Sequence, residues 1–406
     1  MMILSDYLNG VIDNRGRNPD RYFEKEKYPV IDNFLIKNEL HPNILQATRY
    51  INEQTYQNFL RGYVYPNMVI MTLVGNGIGN VTTISDVNSV IIQNTIGFDV
   101  KKDLLSDLFL FYFFRYKLDA IKQFDRGSGQ PSIKKTDLLC MEVNFPALKI
   151  QEKIASILSS LDDKIELNQR QNNNLEQQAQ ALFKSVYDTN NKGVLADIVD
   201  VVESGSRPKG GAVSNGIPSI GAENIEKFGV YDYSKEKFID KNFYDKMKRG
   251  KVISGDVLLY KDGAYTGKVS LALDGYPHNI CAVNEHVFII RSKQISSQFF
   301  LYFCLSDEKN KNYLHTLAAS KAAQPGLNQG ELLGLPIFIP NPTIVRDFTQ
   351  SVSPMMHKIA ANAIENNKLA AIRDALLPKL MSGEIDVSNV DISALTSTDK
   401  LSFTEE

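Results

Sequence analysis

The sequence predicts an α+β protein: two mixed, mainly β globular domains separated by two long α-helices that pair as an antiparallel coiled coil, giving a pseudo-two-fold tandem repeat. Three observations carry this. Sliding the 406-residue chain by 194 residues lays Gln130-Pro131 on Gln324-Pro325, Leu138-Leu139 on Leu332-Leu333 and Pro146 on Pro340. The same offset runs without a gap into two helical patterns, placing Ile154 on Phe348, Leu158 on Val352 and Ile165 on Ile359. Both patterns carry a pair of asparagines at their centre.

Within each pattern the apolar spacings alternate four and three, the heptad seam of a coiled coil. The first seam runs Ile154, Leu158, Leu161, Ile165, Asn168, Asn172, Leu175, Ala179, Leu182, Val186; the second runs Phe348, Val352, Met355, Ile359, Asn362, Asn366, Leu369, Arg373, Leu376, Leu380. An amide in an apolar seam costs stability unless it meets another, and its usual effect is to fix register and partner. Asn168, Asn172, Asn362 and Asn366 are therefore the expected helix-pairing residues. Either direction of pairing matches Asn with Asn. Antiparallel is preferred because a domain-sized segment, from about Gly193 to Pro340, returns the chain from the end of one helix to the start of the next.

Each helix is expected to begin after a proline, Pro146 or Pro342, where a missing N–H costs nothing. The first is expected to run to near Asp188 and stop at Thr189-Asn190-Asn191-Lys192-Gly193. Pro378 is expected to break the second near its end, and Ser382-Gly383 to terminate it. About 40 residues at 1.5 Å each give a rod of roughly 60 Å. The boundaries that follow are a first domain 1–145, a helix 146–190, a second domain 191–340, a helix 341–386 and a disordered, Ser/Thr/Asp/Glu-rich tail 387–406. In the domains, Val252 to Tyr260 reads as turn then strand, and Tyr63 to Val74 has a similar Pro-Asn turn before a β-rich run.

Composition bounds the rest. With 43% hydrophobic and 23% charged residues the chain is globular, and its length exceeds what one core usually supports. Three cysteines, Cys140, Cys281 and Cys304, lie far apart with no CxxC spacing, so neither a disulfide framework nor a cysteine zinc site is indicated and a reducing cytoplasm is expected. The longest apolar run, Leu104 to Phe114, contains Asp107 and ends at Arg115, too short and charged for a bilayer. No signal peptide is read at the N-terminus. The net charge of −2 counts against a free-standing nucleic-acid binder. Such binding requires basic side chains gathered on one face, or a partner that supplies phosphate contacts.

Certain runs, taken together and twice, resemble the specificity subunit of type I restriction-modification enzymes. They are Phe145-Pro146, Gln151-Glu152-Lys153-Ile154-Ala155, Leu161-Asp162-Asp163-Lys164-Ile165 and Asn174-Leu175-Glu176, with Leu376-Leu377-Pro378-Lys379-Leu380-Met381-Ser382-Gly383-Glu384-Ile385 in the second copy. Asp13 to Pro19 and Ser204 to Pro208 resemble the first loop of that family's target-recognition domains. Gly255-Asp256-Val257-Leu258-Leu259, followed by Gly263 and Gly267, resembles the later strand and loop. In the first domain Gly75-Asn76-Gly77-Ile78-Gly79 departs from that glycine spacing, which puts its loop geometry in doubt.

The resemblance implies a non-catalytic, cytoplasmic DNA-binding subunit with two target-recognition domains, each reading half of a bipartite double-stranded DNA target. Its helices would set the spacer and dock methyltransferase (modification) subunits, and restriction/translocase subunits would join that core. No cofactor is expected on this chain; S-adenosylmethionine, ATP and Mg2+ are expected on partners, and no membrane is involved. From the repeat alone, two related but non-identical heads on a rod are expected to read different half-sites, as dimeric readers do.

Candidate DNA contacts lie in loops. Tyr260-Lys261-Asp262-Gly263-Ala264-Tyr265-Thr266-Gly267-Lys268 combines cations, polar groups and glycines that permit close approach to DNA; from it come Tyr260, Lys261, Tyr265 and Lys268. It reads equally as a solvated hairpin tip. Asn76 is its candidate counterpart in the first domain. Arg15, Arg17, Arg207, Lys209 and Lys321 sit in Gly- and Ser-rich stretches suited to phosphate contact, though most exposed cations are only solvated. Arg126, Ser128, Gln130, Ser320 and Gln324 precede the repeated Leu-Leu, and a purely structural turn explains them as well.

Other readings fare worse. Gly263 to Val269 misses the phosphate-loop pattern by one residue and lacks the hydroxyl after Lys268. Gly75-x-Gly77-x-Gly79 leads into Val81-Thr82-Thr83-Ile84, a strand where a dinucleotide fold needs a helix. His278, Cys281 and His286 lack a fourth zinc ligand at motif spacing. An adenine methyltransferase would need Asn-Pro-Pro-aromatic, for which Asn341-Pro342-Thr343 is no substitute. A coiled-coil scaffold that reads no DNA remains the third alternative.

Overall fold

The computed structural model describes residues 2–16, 18–186, 192–293, 297–320, 326–339 and 341–392. In chain order the elements that matter are β1 (Leu8–Ile12), β2 (Val69–Thr72), β3 (Val81–Thr83), β4 (Thr95–Val100), α1 (Asp107–Tyr116), α2 (Lys135–Leu139) and the long helix α3 (Leu148–Ser185). The second copy supplies β5 (Val199–Ser204), β6 (Val257–Tyr260), β7 (Val269–Leu271), β8 (Val287–Ser292), α4 (Gln298–Ser306), α5 (Gln329–Leu333) and the long helix α6 (Pro342–Met381). Element follows element in the same sequence twice.

The sheets repeat as well. The first is antiparallel in the order β1-β4-β2-β3, and the second in the order β5-β8-β6-β7. Both carry a bulge in the opening strand, between Leu8 and Gly10 and between Val199 and Val201, where an extra residue bends the strand. Short ladders tie each domain's start to the segment before its long helix: Met2–Ile3 pairs with Glu142–Val143, and Lys192–Val194 with Pro336–Phe338.

Contacts divide the chain into one unit of residues 1–164 with 369–406 and another of residues 165–368. The cut falls inside the long helices rather than at the expected boundaries near 145 and 340. In the first unit the reason is that Ile154, Ala155 and Leu158 of α3 and Leu377 and Leu380 of α6 are buried in the same core as β1–β4 and α1. Helix α1 is apolar all round, with Phe109 to Phe114 all buried, as befits a core helix; this is the longest apolar run of the sequence. In the second unit Ala179 and Phe183 of α3 and Phe348, Val352 and Met356 of α6 join the core of β6–β8 and α4. Phe183 lies 5.4 Å from Phe300, 5.8 Å from Phe303 and 6.0 Å from Phe348 between ring centroids.

Within that unit the helices run antiparallel. Asn168 donates to Asn366 at 2.9 Å and to Glu365 at 2.8 Å, while Asn362 donates to Asn172 at 2.8 Å and to Gln171 at 2.9 Å. Adding the repeat offset of 194 to one set of partners generates the other, so the network obeys the pseudo-two-fold. Asn168 and Asn362 are each 1% exposed, which excludes a solvent-facing role.

Several expectations need correction. The heptad does not hold to the helix ends: Leu182 is exposed and Phe183 is buried instead, while Met356 and Leu377 are buried more deeply than Met355 and Leu376. The ends of the helices pack on globular domains, and a straight helix of period 3.6 drifts off a seam of period 3.5. Helix α3 ends at Ser185, short of Asp188, whereas α6 ends at Met381, directly before the Ser382-Gly383 stop. Pro378 does not break α6, nor does Pro354; both are exposed, so the carbonyls they leave unpaired face water and the helix continues. The tail is ordered beyond Asp386, because Val387 is buried in the first unit's core and Ser388 O accepts from Lys153 Nζ at 2.6 Å. Residues 393–406 lie outside the described ones.

In the first unit the helices meet through charge. The Asp162 carboxylate, 6% exposed, accepts from Tyr112 Oη at 2.7 Å and pairs with Arg115 at 3.4 Å and with Arg373. Burial, then the Asp162 charge, pushes the Tyr112 hydroxyl well above its usual range and keeps it a donor. Aligned at their first residues, α1 and α4 place Phe303 and Ser306 where Tyr112 and Arg115 stand, and the 194-residue offset places Met356 and Ala179 where Asp162 and Arg373 stand, a largely apolar set. Asp162→Ala is expected to lose on the order of 3 kcal/mol in urea unfolding, since it takes the buried carboxylate from two guanidinium groups and leaves them only the exposed Asp374. Transplanting the second copy's set, Tyr112→Phe, Arg115→Ser, Asp162→Met and Arg373→Ala together, is expected to cost much less than that single change.

Candidate nucleic-acid interface

The glycine-rich loops that looked different in sequence share a hydrogen-bonded frame, although Gly77 (φ +85°) adds a left-handed residue where the second loop has Tyr265. In the first domain Thr72 N bonds Asn80 O and Gly79 N bonds Thr72 O; in the second Tyr260 N bonds Lys268 O and Gly267 N bonds Tyr260 O. Both loops need left-handed residues at the same two places, Gly75 (φ +93°) with Gly79 (φ +79°), and Gly263 (φ +64°) with Gly267 (φ +93°), conformations that favour glycine. The doubt raised by Gly75 to Gly79 is thereby removed. Each loop also bonds the segment before the Leu-Leu helix: Ile133 N donates to Leu73 O and Leu327 N to Lys261 O, both at 2.8 Å. Bridges Val74–Ser132 and Asp262–Gly326 extend the match.

In the first domain this brings Asn76, Arg126, Ser128 and Gln130 onto adjoining loops. Asn76 is exposed at its turn, and a Cβ on Gly75 would lie 3.2 Å from Gln130 Nε2. The 126–132 loop is shaped by Asp125, whose carboxylate accepts from Gly127 N at 2.9 Å and Ser132 N at 2.8 Å. Those backbone bonds lower its pKa, Ser132 first. Arg126 pairs with Asp137 at 2.8 Å. Arg15 is gripped by Asp13 through Nε at 2.8 Å and a terminal nitrogen at 2.9 Å, and Lys135 of α2 reaches the same carboxylate at 2.9 Å. Arg17 lies outside the described residues.

In the second domain Tyr260, Lys261, Tyr265 and Lys268 share one loop. Tyr265 is 57% exposed and Lys268 Nζ stands 4.6 Å over its ring while pairing with Glu226 at 2.7 Å. Lys261 pairs with Asp262 at 3.1 Å. Burial, and next the Asp262 charge, raises the Tyr260 hydroxyl, so it stays protonated at neutral pH. The preceding turn is locked by Asp256, 1% exposed, which takes two bonds from Arg291 of β8, at 2.6 and 2.8 Å. Arg207 approaches Glu285 at 4.0 Å and Lys209 is exposed on the neighbouring turn. Ser320 is exposed; Lys321 and Gln324 lie outside the described residues.

Most of the candidate cations are therefore already paired with carboxylates, which tempers the phosphate attraction that their number suggested. Sequence reasoning missed the acids, Asp13, Asp137, Glu226, Asp262 and Glu285, and also His286, whose Nδ1 donates to Asp262 at 2.7 Å. Only Asp13, two residues before Arg15, carried a local signal. Among the described residues no three His, Cys, Asp or Glu side chains are placed to hold a metal ion, and no helix is long and apolar enough to cross a membrane.

Comparison with known proteins agrees with this architecture. Residues 10–177 match the type I restriction modification DNA specificity domain. The type I restriction enzyme MjaIX specificity subunit of Methanocaldococcus jannaschii is 28% identical over 318 residues, covering 72% of both chains. The HindI specificity subunit of Haemophilus influenzae is 26% identical over 333 residues, covering 64% of this chain and 72% of that one. The crystal structure of a type I restriction-modification system S subunit from M. genitalium has the same fold, with a TM-score of 0.59 at 14% identity over 93% of this chain and 95% of that one. This chain is thus similar, over residues 10–177, to the type I restriction modification DNA specificity domain and, over 72% of its length, to a type I restriction enzyme specificity subunit.

The Asp13 cluster has a pH signature. Hydrogen bonding from Arg15, opposed by burial and aided by Lys135, holds this carboxyl well below the usual range. A depressed folded pKa contributes stability that is present above about pH 4, the unfolded value, and lost as pH falls below it. Asp13→Asn is expected to flatten the acid side of the thermal-stability profile below about pH 4 while leaving the neutral side nearly parallel to the parent.

Proposed function

We propose that this chain is the DNA-recognition subunit of a type I restriction-modification complex, each β domain reading one half of a bipartite duplex target. The observation that carries it is a pair of domains with superimposable hydrogen-bonded loop frames and different side chains on them: Asn76, Gly77, Ile78 and Asn80 in one, Ala264, Tyr265, Thr266 and Lys268 in the other. A common frame with varied side chains suits one task performed on two base sequences, because frames position and side chains specify.

In this reading the chain is not itself catalytic. Methyltransferase and restriction/translocase partners carry the S-adenosylmethionine, ATP and Mg2+ chemistry, and the modification subunits dock on the helices. Because the described cations are largely neutralised by neighbouring acids, those partners supply much of the phosphate contact. The paired helices set the length of DNA left unread between half-sites.

Co-expression with the partner methyltransferase and mapping of modified bases is expected to give one bipartite motif, interrupted by a fixed run of unread bases. Methylation at a contiguous site, or by this chain alone, would overturn the reading. Inserting one heptad at matched places in both α3 and α6 adds about 10 Å. It is expected to lengthen the unread run by about three base pairs at 3.4 Å per step, with both half-sites unchanged.

A further inference from the structure

We propose that Asp262 is a base-reading residue of the second domain, accepting a hydrogen bond from an exocyclic amino group, cytosine N4 or adenine N6, in the major groove. The inference rests on the DNA-recognition reading above. It begins from the repeated frame. The bridge between the glycine loop and the segment before the Leu-Leu helix uses Val74 with Ser132 in one domain and Asp262 with Gly326 in the other. At one structurally equivalent place the first domain presents an apolar side chain and the second a charged acceptor. Elsewhere in the frame the same backbone bonds recur, so the frame itself forms without a carboxylate at this place.

The carboxylate is held for use. His286 Nδ1 donates to Oδ2 at 2.7 Å, and Lys261 Nζ approaches the same oxygen at 3.1 Å. Lys261 Nζ also reaches Oδ1, at 3.4 Å, so His286 and Lys261 together hold the carboxyl group in place. Gly326 lets the neighbouring chain come close to Oδ1, where a Cβ would sit only 2.5 Å away. The side chain keeps 29% of its surface exposed, so a ligand can still reach it.

The sign of the charge decides what that ligand is. A carboxylate facing DNA repels phosphates and cannot accept from the carbonyl edges of guanine or thymine, whereas an amino group on cytosine or adenine offers it a proton. The Lys261 ammonium beside it offsets the repulsion from the backbone. Glu285, 3.5 Å from His286 Nε2, adds a second acid that discourages unspecific phosphate contact nearby. The arrangement suits selection among bases better than general affinity.

The test compares the full chain, in complex with its methyltransferase partner, with the Asp262→Asn and Asp262→Val variants. The probe is a pool of DNA duplexes randomised across both half-sites. Expected is a drop of roughly 5- to 100-fold in preference at a single base pair of one half-site, with the other half-site and the spacer unchanged. Asp262→Asn is nearly isosteric, and an unaltered melting temperature shows that its effect does not come from unfolding. A uniform change in affinity with every base preference intact would overturn the proposal, leaving Asp262 a loop or phosphate-repelling residue. If the unsubstituted complex selects no bipartite motif at all, the recognition reading itself falls, and this inference with it.

Discussion

An amide taken out of water must find another hydrogen-bonding partner, and this constraint fixes the pairing of the long helices. Asn168 with Asn366 and Asn362 with Asn172 occupy the centre of a seam whose other members, Arg373 apart, are apolar. Sliding one helix past the other by a single turn would bury unpartnered amides against Leu or Ile, at about 1 to 3 kcal/mol for each stranded group. Apolar contacts alone would accept several registers; the amides admit one. Because the partners repeat with the period of the duplication, the same two-fold logic serves both halves of the chain with a single motif.

Around this seam the copies have kept their scaffold and changed their means of attachment. Sheet order, the bulge in the opening strand and the loop-to-loop hydrogen bonds recur. The contact between domain and helix does not. In the first copy it is a buried carboxylate shared among a phenol and two guanidinium groups; in the second it is an aromatic cluster around Phe183. Backbone geometry is constrained by every bond in the frame, whereas a packed contact need only be complementary to its own partner.

The parts of this architecture legible in the sequence were those written in periodicity. The offset of Gln130-Pro131 from Gln324-Pro325 exposed the duplication, and the central asparagines exposed the helix pairing. The fate of Leu182 and Phe183 was not legible, because a heptad describes a helix facing another helix and not one that turns its last turns toward a sheet. Pro378 was read as a breaker because local preference was weighed without knowing which face meets water. At the candidate interface the loops themselves were visible through Gly263, Gly267 and the Gly75 to Gly79 run. Their electrostatic state was not: Asp262 and His286 are 24 positions apart, and nothing in their spacing announces that they meet.

The line between contact units falls inside the helices, after Lys164 and after Lys368, and this bears on how such genes exchange parts. A recombination breakpoint at the start of a long helix would graft a head onto helix residues suited to the other head, leaving Asp162 facing a phenylalanine or an Arg115 facing a methionine. A breakpoint in the middle of the helix, near the asparagines, would carry each head together with the stretch that matches it. Shuffling new specificities into this framework is thus easiest where the two copies are most alike.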